Sequence, residues 1–365
     1  MAETWIWDGA SFAKLVLATN PPALNFPNLA YDAKRRQVVL VLGGEIGTNT
    51  WTWNGTNWTV ITPPVSPSLR DRTTAAYDKR RERVVLFGGT KYGVGNLNDT
   101  WEWDGATWQE IQPATRPSAR EGHTMVFDEA RTELLMFGGR FEPGTWIWDG
   151  TNWVDRAPMN SPSRRGYHGM AYDPLRQHIV VFGGEAEPNS IFVSDTWEWN
   201  GSNWIQSFPA NSPQNRHGQT AVFDPHTQSV LLAGGSDDVN RYHDVWFLNG
   251  NNWVQAGTNF IVTTTNDFGP GSMREAILNA NTNGGRDTIR FNIPGAGVQT
   301  IRPQSPLPAI SEPVTIDGYT QPGASPNTSS NQINATLLIE LDGSFLSVTQ
   351  EIPGLNFVAG SQGST

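Results

Sequence analysis

Five short apolar runs divide the first two thirds of the chain, and each closes on a pair of glycines. They are "VVLVLGG" ending at Gly44, "VVLFGG" at Gly89, "LLMFGG" at Gly139, "IVVFGG" at Gly184 and "VLLAGG" at Gly235. Runs of this length, rich in branched residues and bounded by glycine, predict buried strands. An alternating segment ending in an aromatic-Asp pair precedes each run: Tyr31-Asp32, Tyr77-Asp78, Phe127-Asp128, Tyr172-Asp173 and Phe223-Asp224. After each run comes a variable loop, then two aromatic segments such as "TWEWDG" and "TWQEI". No helical period interrupts them, so one unit predicts four short strands, and four-stranded units repeated at this spacing predict propeller blades.

The tryptophans mark the same period. W-x-W-[DN]-G begins at Trp5, Trp51, Trp101, Trp146 and Trp197, with "WFLNG" at Trp246, and seven residues later stand Phe12, Trp58, Trp108, Trp153, Trp204 and Trp253. These positions contain all 16 tryptophans, so the residue belongs to the repeat and not to one site. Asp-Gly or Asn-Gly favours a two-residue hairpin turn, which predicts Trp103 opposite Ala106 and Trp101 opposite Trp108, with all three rings on one face. Such a face suits packing between blades, and Trp103→Ala is expected to cost about 3 to 5 kcal/mol.

This pattern resembles the kelch-repeat family over residues 1 to about 256. The alternative WD40 pattern fails because Asn replaces Asp in three copies and Gly-His occurs once, at Gly122-His123. The resemblance implies an all-β, kelch-like β-propeller with five complete four-stranded blades and an N-terminal half blade, six-bladed when closed. The stretch from Asp32 to Gly43 is one residue longer than its counterparts, which predicts a bulge in the first complete blade.

Arginine recurs ahead of the first strand in four blades, at Arg70, Arg120, Arg165 and Arg216, with Leu24 at that place in the first; His123 and His168 follow three residues after their arginines. In kelch-like propellers the first strand is innermost, so these six residues are candidate ligand-binding groups at a channel mouth. Guanidinium groups suit a carboxylate-bearing sugar or peptide. The competing reading is that a residue repeated in every blade is part of the blade. The loops after Gly-Gly vary, which makes them the other place to expect recognition. Asp99, Asp195 and Asp244 close three of these loops and read as turn caps; Asp237 and Asp238 lack the further ligands a calcium site needs.

Beyond residue 257 tryptophan and lysine vanish and Thr, Asn, Gly, Ser and Pro dominate. "VTTTNDFGPGSMREAILNAN" predicts a strand, a Gly-Pro turn and a helix with Ser272 and Glu275 at capping-box spacing and Met273, Ala276, Ile277 and Ala280 as its apolar stripe. Short strands follow at "DTIRFNI", "QTIRP", "PVTIDGYT", "LLIELDG" and "GLNFVAG". Asn266 to Ile277 with "DTIRFN" resembles the N-terminal cap and first rungs of bacterial right-handed parallel β-helix proteins. The expected organisation is a propeller over 1–256 and a truncated β-helix over 257–365.

The formal charge of -10, with only four lysines among 25 basic residues, argues against nucleic acid. The absence of cysteine removes thiolate metal sites and cysteine nucleophiles, and the Tyr-Cys cofactor that an oxidase resembling galactose oxidase requires. No apolar run reaches membrane-spanning length, and the N-terminus reads as lacking a signal peptide. No single acid or base departs visibly from the repeat, and Asp317, Glu340 and Asp342 read as turn residues. The expected protein is therefore a non-enzymatic binding module without cofactor or metal, recognising carbohydrate or protein through propeller loops and channel mouth. Its β-helix resemblance implies a secreted or cell-surface location. The alternatives are a sugar mutarotase-type enzyme on the propeller, or an incomplete gene product without independent function.

Overall fold

The computed structural model describes residues 3–7, 12–23, 26–41, 49–225, 227–281, 286–329, 332–346, 354–358 and 361. The chain divides into two compact units between Val254 and Gln255. Leu24, the Asp8-Gly9 turn and the Gly43-Gly44 end of the expected bulge lie outside the described residues.

The first unit is a five-bladed β-propeller arrangement. Its first blade comprises Asn28–Asp32, Gln37–Val41, Thr50–Trp53 and Trp58–Ile61; the second Thr74–Asp78, Arg83–Lys91, Gly95–Trp103 and Trp108–Ile111. The third comprises Thr124–Asp128, Glu133–Phe137, Thr145–Trp148 and Trp153–Asp155, and the fourth Gly169–Asp173, His178–Ala186, Ile191–Trp199 and Trp204–Ser207. The fifth contains Thr220–Asp224, Ser229–Ala233, Val245–Asn249 and the start of the strand Asn252–Val262. Neighbouring strands follow the chain order within each blade. Thr4–Trp7 and Phe12–Leu15 form a separate two-stranded antiparallel sheet.

The tryptophan hairpin differs from the sequence expectation in register. Trp103 pairs with Trp108 and Trp101 with Glu110, so the connection is a four-residue loop and not a two-residue turn. The cause is the side chain of the Asp or Asn. Asp104 Oδ1 accepts from the backbone N–H of Ala106 and Thr107 at 2.8 and 2.9 Å, and Asn54, Asp149 and Asn200 do the same in their blades. Asp and Asn interchange here because the loop uses only the oxygen they share. The two-residue shift preserves side-chain parity, so the rings still share a face, with Trp103 and Trp108 centroids 5.4 Å apart.

That face is the joint between blades. Trp103 and Trp108 pack on Val39 and Val41 of the first blade, Trp148 and Trp153 on Val85 and Phe87 of the second, and Trp199 and Trp204 on Leu135 and Phe137 of the third. Each outer tryptophan also donates its indole N–H to a threonine of the preceding blade: Trp108 to Thr50, Trp153 to Thr100, Trp204 to Thr145 and Trp253 to Thr196, all at 2.8 to 2.9 Å.

A second staple comes from the turn after each first strand, where Asp and Arg three residues apart form ion pairs: Asp32 with Arg35, Asp78 with Arg81, Asp128 with Arg131 and Asp173 with Arg176. Arg35, Arg131 and Arg176 continue to the hairpin loop of the next blade, donating to the carbonyls of Asp104, Asn200 and Gly250. The glycine of W-x-W-[DN]-G is thereby needed twice. Gly201 has φ +102, and a Cβ there would lie 1.9 Å from Arg131 Nε; at Gly55, φ +100, a Cβ would meet nothing.

In the second unit the strands pair in parallel. Phe260 sits beside Ile289, Ile289 beside Ile316, and Thr300 beside Glu340; of "GLNFVAG", Phe357 forms a single parallel bridge to Ile310. Its core contains Val262, Ile289, Phe291, Ile301, Ile310 and Val314. The helix Met273–Ala280 buries Met273, Ala276, Ile277 and Ala280. Ser272 accepts from Glu275 N, and Glu275 in turn accepts from Gly271 N, so the helix start is capped from both sides.

Candidate functional site

The four repeated arginines are interior residues. Arg70, Arg120, Arg165 and Arg216 expose 2, 1, 1 and 0% of their surface. Arg70 grips Asp99 with two bonds of 2.5 and 2.8 Å, Arg165 grips Asp195 at 2.5 and 2.8 Å, and Arg216 grips Asp244 at 2.6 and 2.9 Å. The same guanidiniums donate to the first carbonyl of Gly-Gly, on Gly88, Gly183 and Gly234. Burial would raise the carboxyls of Asp99, Asp195 and Asp244, but the arginine bonds outweigh it and hold them below the usual range. These aspartates thus neutralise buried cations, a larger role than the turn caps expected from sequence.

His123 and His168 are also buried. His123 Nε2 lies 3.1 Å from the Phe87 carbonyl, and the two rings stand edge-on to Phe87 and Phe137. Burial pushes His123 well below its ordinary value and His168 down to about 3. Both are neutral packing groups in the folded protein.

Between each repeated arginine and the residue three places later lies a dipeptide that does not repeat: Asp71-Arg72, Glu121-Gly122, Gly166-Tyr167 and His217-Gly218. Its second residue is left-handed in every case, with φ between +55 and +67 at Arg72, Gly122, Tyr167 and Gly218. These residues link blade to blade by backbone bonds from Gly122 N to Arg72 O, Tyr167 N to Gly122 O and Gly218 N to Tyr167 O, at 3.1, 2.7 and 2.8 Å. A left-handed non-glycine residue costs about 1 to 2 kcal/mol, yet two blades place Arg and Tyr where two others place glycine. Strain retained in this way concentrates at functional sites.

The side chains of this segment converge. Arg72 reaches both Glu121 oxygens at 3.2 and 3.0 Å and lies over Phe26 and Tyr167, 5.2 and 5.8 Å from the ring centres. Thr90 also donates to Glu121. Arg140 is 4.0 Å from Glu121 and 3.3 Å from Glu185. Phe26, ahead of the first blade, and Tyr167, ahead of the first strand of the fourth, have centroids 6.4 Å apart, and Tyr167 also faces His217, which stacks on Phe192. Burial would raise the Glu121 carboxyl, but the Thr90 and Arg72 bonds hold it below its ordinary range. Burial, with Glu121 adding to it, pushes the Tyr167 phenol up to about 12.

Arginine and carboxylate therefore alternate around one mouth of the propeller, Arg72, Glu121, Arg140 and Glu185, with aromatic rings among them. The sequence reading that no acid or base departs from the repeat is corrected here: Glu121 and Tyr167 both depart from it. The signal was the dipeptide itself, irregular between two regular positions. Lower in the channel, the first strands of all five blades line an apolar cavity of about 600 Å³ that includes Leu29, Tyr31, Met125, Phe127, Tyr172 and Phe223. Asp237, the earlier calcium candidate, accepts bonds from Val239 N, Asn240 N and the Tyr242 hydroxyl.

No family model matches the chain, and no curated protein matches it. A solved structure described as "Structure of YjhT" superposes with a TM-score of 0.49 and 17% identity, over 60% of this chain and 75% of that one. Among the described residues no helix is long and apolar enough to cross a membrane.

Proposed function

We propose that the first unit is a non-enzymatic, kelch-type binding module whose polar mouth takes a carbohydrate. The observation that carries this reading is the Arg72–Glu121–Arg140–Glu185 alternation. Fixed donors and acceptors beside aromatic faces suit a ligand with many hydroxyls and apolar ring faces, and the strained Arg72 and Tyr167 backbones mark the same place. Isothermal titration with neutral and acidic saccharides tests it: Arg72→Gly should abolish binding while the fold survives. Full affinity in that variant would remove the mouth from the account.

The Tyr167 phenol beside Glu121 favours a second reading, a mutarotase-type enzyme in which this pair moves a proton at the anomeric centre. Anomer exchange followed by NMR separates the two. Exchange accelerated by the protein and lost in Glu121→Gln supports the enzyme; binding without acceleration supports the module.

The same proposal extends to the ends of the chain. The two-stranded sheet is read as the outer half of a sixth blade, supported by the bond from Trp58 Nε1 to Thr4 and the 6.2 Å approach of Trp7 to Phe247. The second unit is read as the cap and first rungs of a right-handed β-helix, supported by its parallel pairings and capped helix. That reading makes the protein secreted or displayed on the cell surface. Detection of the native polypeptide solely in the cytoplasm would overturn the location.

A further inference from the structure

The third blade breaks the arginine-aspartate pattern at one residue. In the second, fourth and fifth blades the aspartate Oδ2 accepts two bonds at once: from the arginine Nη2 and from the indole N–H of the tryptophan two residues on. Asp99 receives Arg70 and Trp101 at 2.8 and 2.7 Å, Asp195 receives Arg165 and Trp197 at 2.8 and 2.7 Å, and Asp244 receives Arg216 and Trp246 at 2.9 and 2.7 Å. The third blade has Gly144 at that place, followed by Thr145 and Trp146.

Both donors persist without the carboxylate. Arg120 is 1% exposed and uses Ser118 O, Gly138 O, Pro143 O and Ser118 Oγ, none of them charged. Among the described residues Trp146 Nε1 is buried and has no acceptor. Glu142, the nearby acid, binds the Ser118 hydroxyl instead. Burial drags the Arg120 guanidinium down to about 10 even though Glu142 and Asp155 partly oppose it. A Cβ on Gly144, at φ +114, would fall 2.6 Å from Trp146 Nε1, so a side chain cannot be added there without moving the loop. The equivalent carboxylates elsewhere are about one-fifth exposed, 20, 24 and 18%; in the third blade Arg120 and Trp146 Nε1 are enclosed, so a carboxylate from outside reaches them only as the adjoining loop moves.

We propose that Arg120 Nη2 and the Trp146 indole form a binding site for an acetate-sized carboxylate from outside the chain, which completes the third blade as aspartate completes its neighbours. The loop beside the site, residues 140–144, also carries Arg140 of the mouth. The site is independent of the carbohydrate reading, because its donors are not the mouth residues.

The test follows the sixteen indole N–H resonances of the full chain by two-dimensional NMR during titration with sodium acetate at constant ionic strength. The Trp146 resonance is assigned by triple-resonance spectra and by its loss in Trp146→Phe. It should move downfield and saturate, while those of Trp101, Trp197 and Trp246, already bonded, stay in place. Glu142→Gln should lower the acetate Kd about threefold by removing a nearby like charge, and acetate should raise the Tm of the wild type more than that of Trp146→Phe. A Trp146 resonance that stays in place, or that responds equally to perchlorate, would overturn the proposal; neither result touches saccharide binding at the mouth.

Discussion

Arg165 and Arg72 are both arginines near the start of a first strand, and they teach opposite lessons. Arg165 recurs in four blades, is 1% exposed and is held by Asp195 and the Gly183 carbonyl. Arg72 has no arginine counterpart in another blade, is about one-third exposed and pairs across to a neighbouring blade's Glu121. Here the repeated cation is held inside the blade, and the unrepeated one stands partly open to solvent at the mouth. Buried repeats tend to recur because each blade solves the same desolvation problem; the residues at the mouth are under no such constraint and need not resemble each other.

Removing one member of a repeated set should be most costly. Asp195→Ala leaves Arg165 buried and unpaired and should cost about 3 to 5 kcal/mol by denaturant unfolding; Trp103→Ala should cost a similar amount through the joint between blades. Gly201→Ala should exceed Gly55→Ala in cost by 1 kcal/mol or more, since both pay for left-handed backbone and only the former meets Arg131. Equal costs would show that the staple is loose.

Acid should weaken the repeated layer in a defined window. The folded-state values of His123 and His168 are depressed, so each contributes stability that is whole above the unfolded value near 6.5 and is lost as pH falls from there towards the folded value. Each buried imidazole adds a slope of up to about 1.4 kcal/mol per pH unit, and His168→Gln should flatten the profile. Thr196→Val, which takes the acceptor from Trp253, should cost only about 1 kcal/mol. Arg72→Gly should change stability least, because relief of the left-handed backbone offsets the lost ion pair, while binding at the mouth disappears.

Much of this was legible in the sequence. The strand order, the shared face of the tryptophans and the helix stripe from Met273 to Ala280 follow from periodicity. The hairpin register was not, because Asp-Gly suggests a turn by its backbone preference whereas here the Asp104 side chain selects a longer loop. The Asp-x-x-Arg staples and the threonine acceptors such as Thr50 are regular in the sequence, but each acts on a different blade, and spacing along one strand does not reveal a partner 53 to 74 residues away. The mouth was hidden for the opposite reason: Arg72, Glu121 and Tyr167 share no type, and what unites their segments is the left-handed backbone at Arg72, Gly122 and Tyr167.

The central claim is that ligand recognition belongs to the unrepeated mouth. Mapping backbone amide shifts while titrating neutral and acidic saccharides tests it most directly. Shifts should cluster on residues 71–72, 90–96, 121–122, 140–142, 166–167 and 185. Shifts confined to Tyr31, Tyr77, Phe127, Tyr172 and Phe223 at the other end of the channel, or no shift with any saccharide, would contradict it.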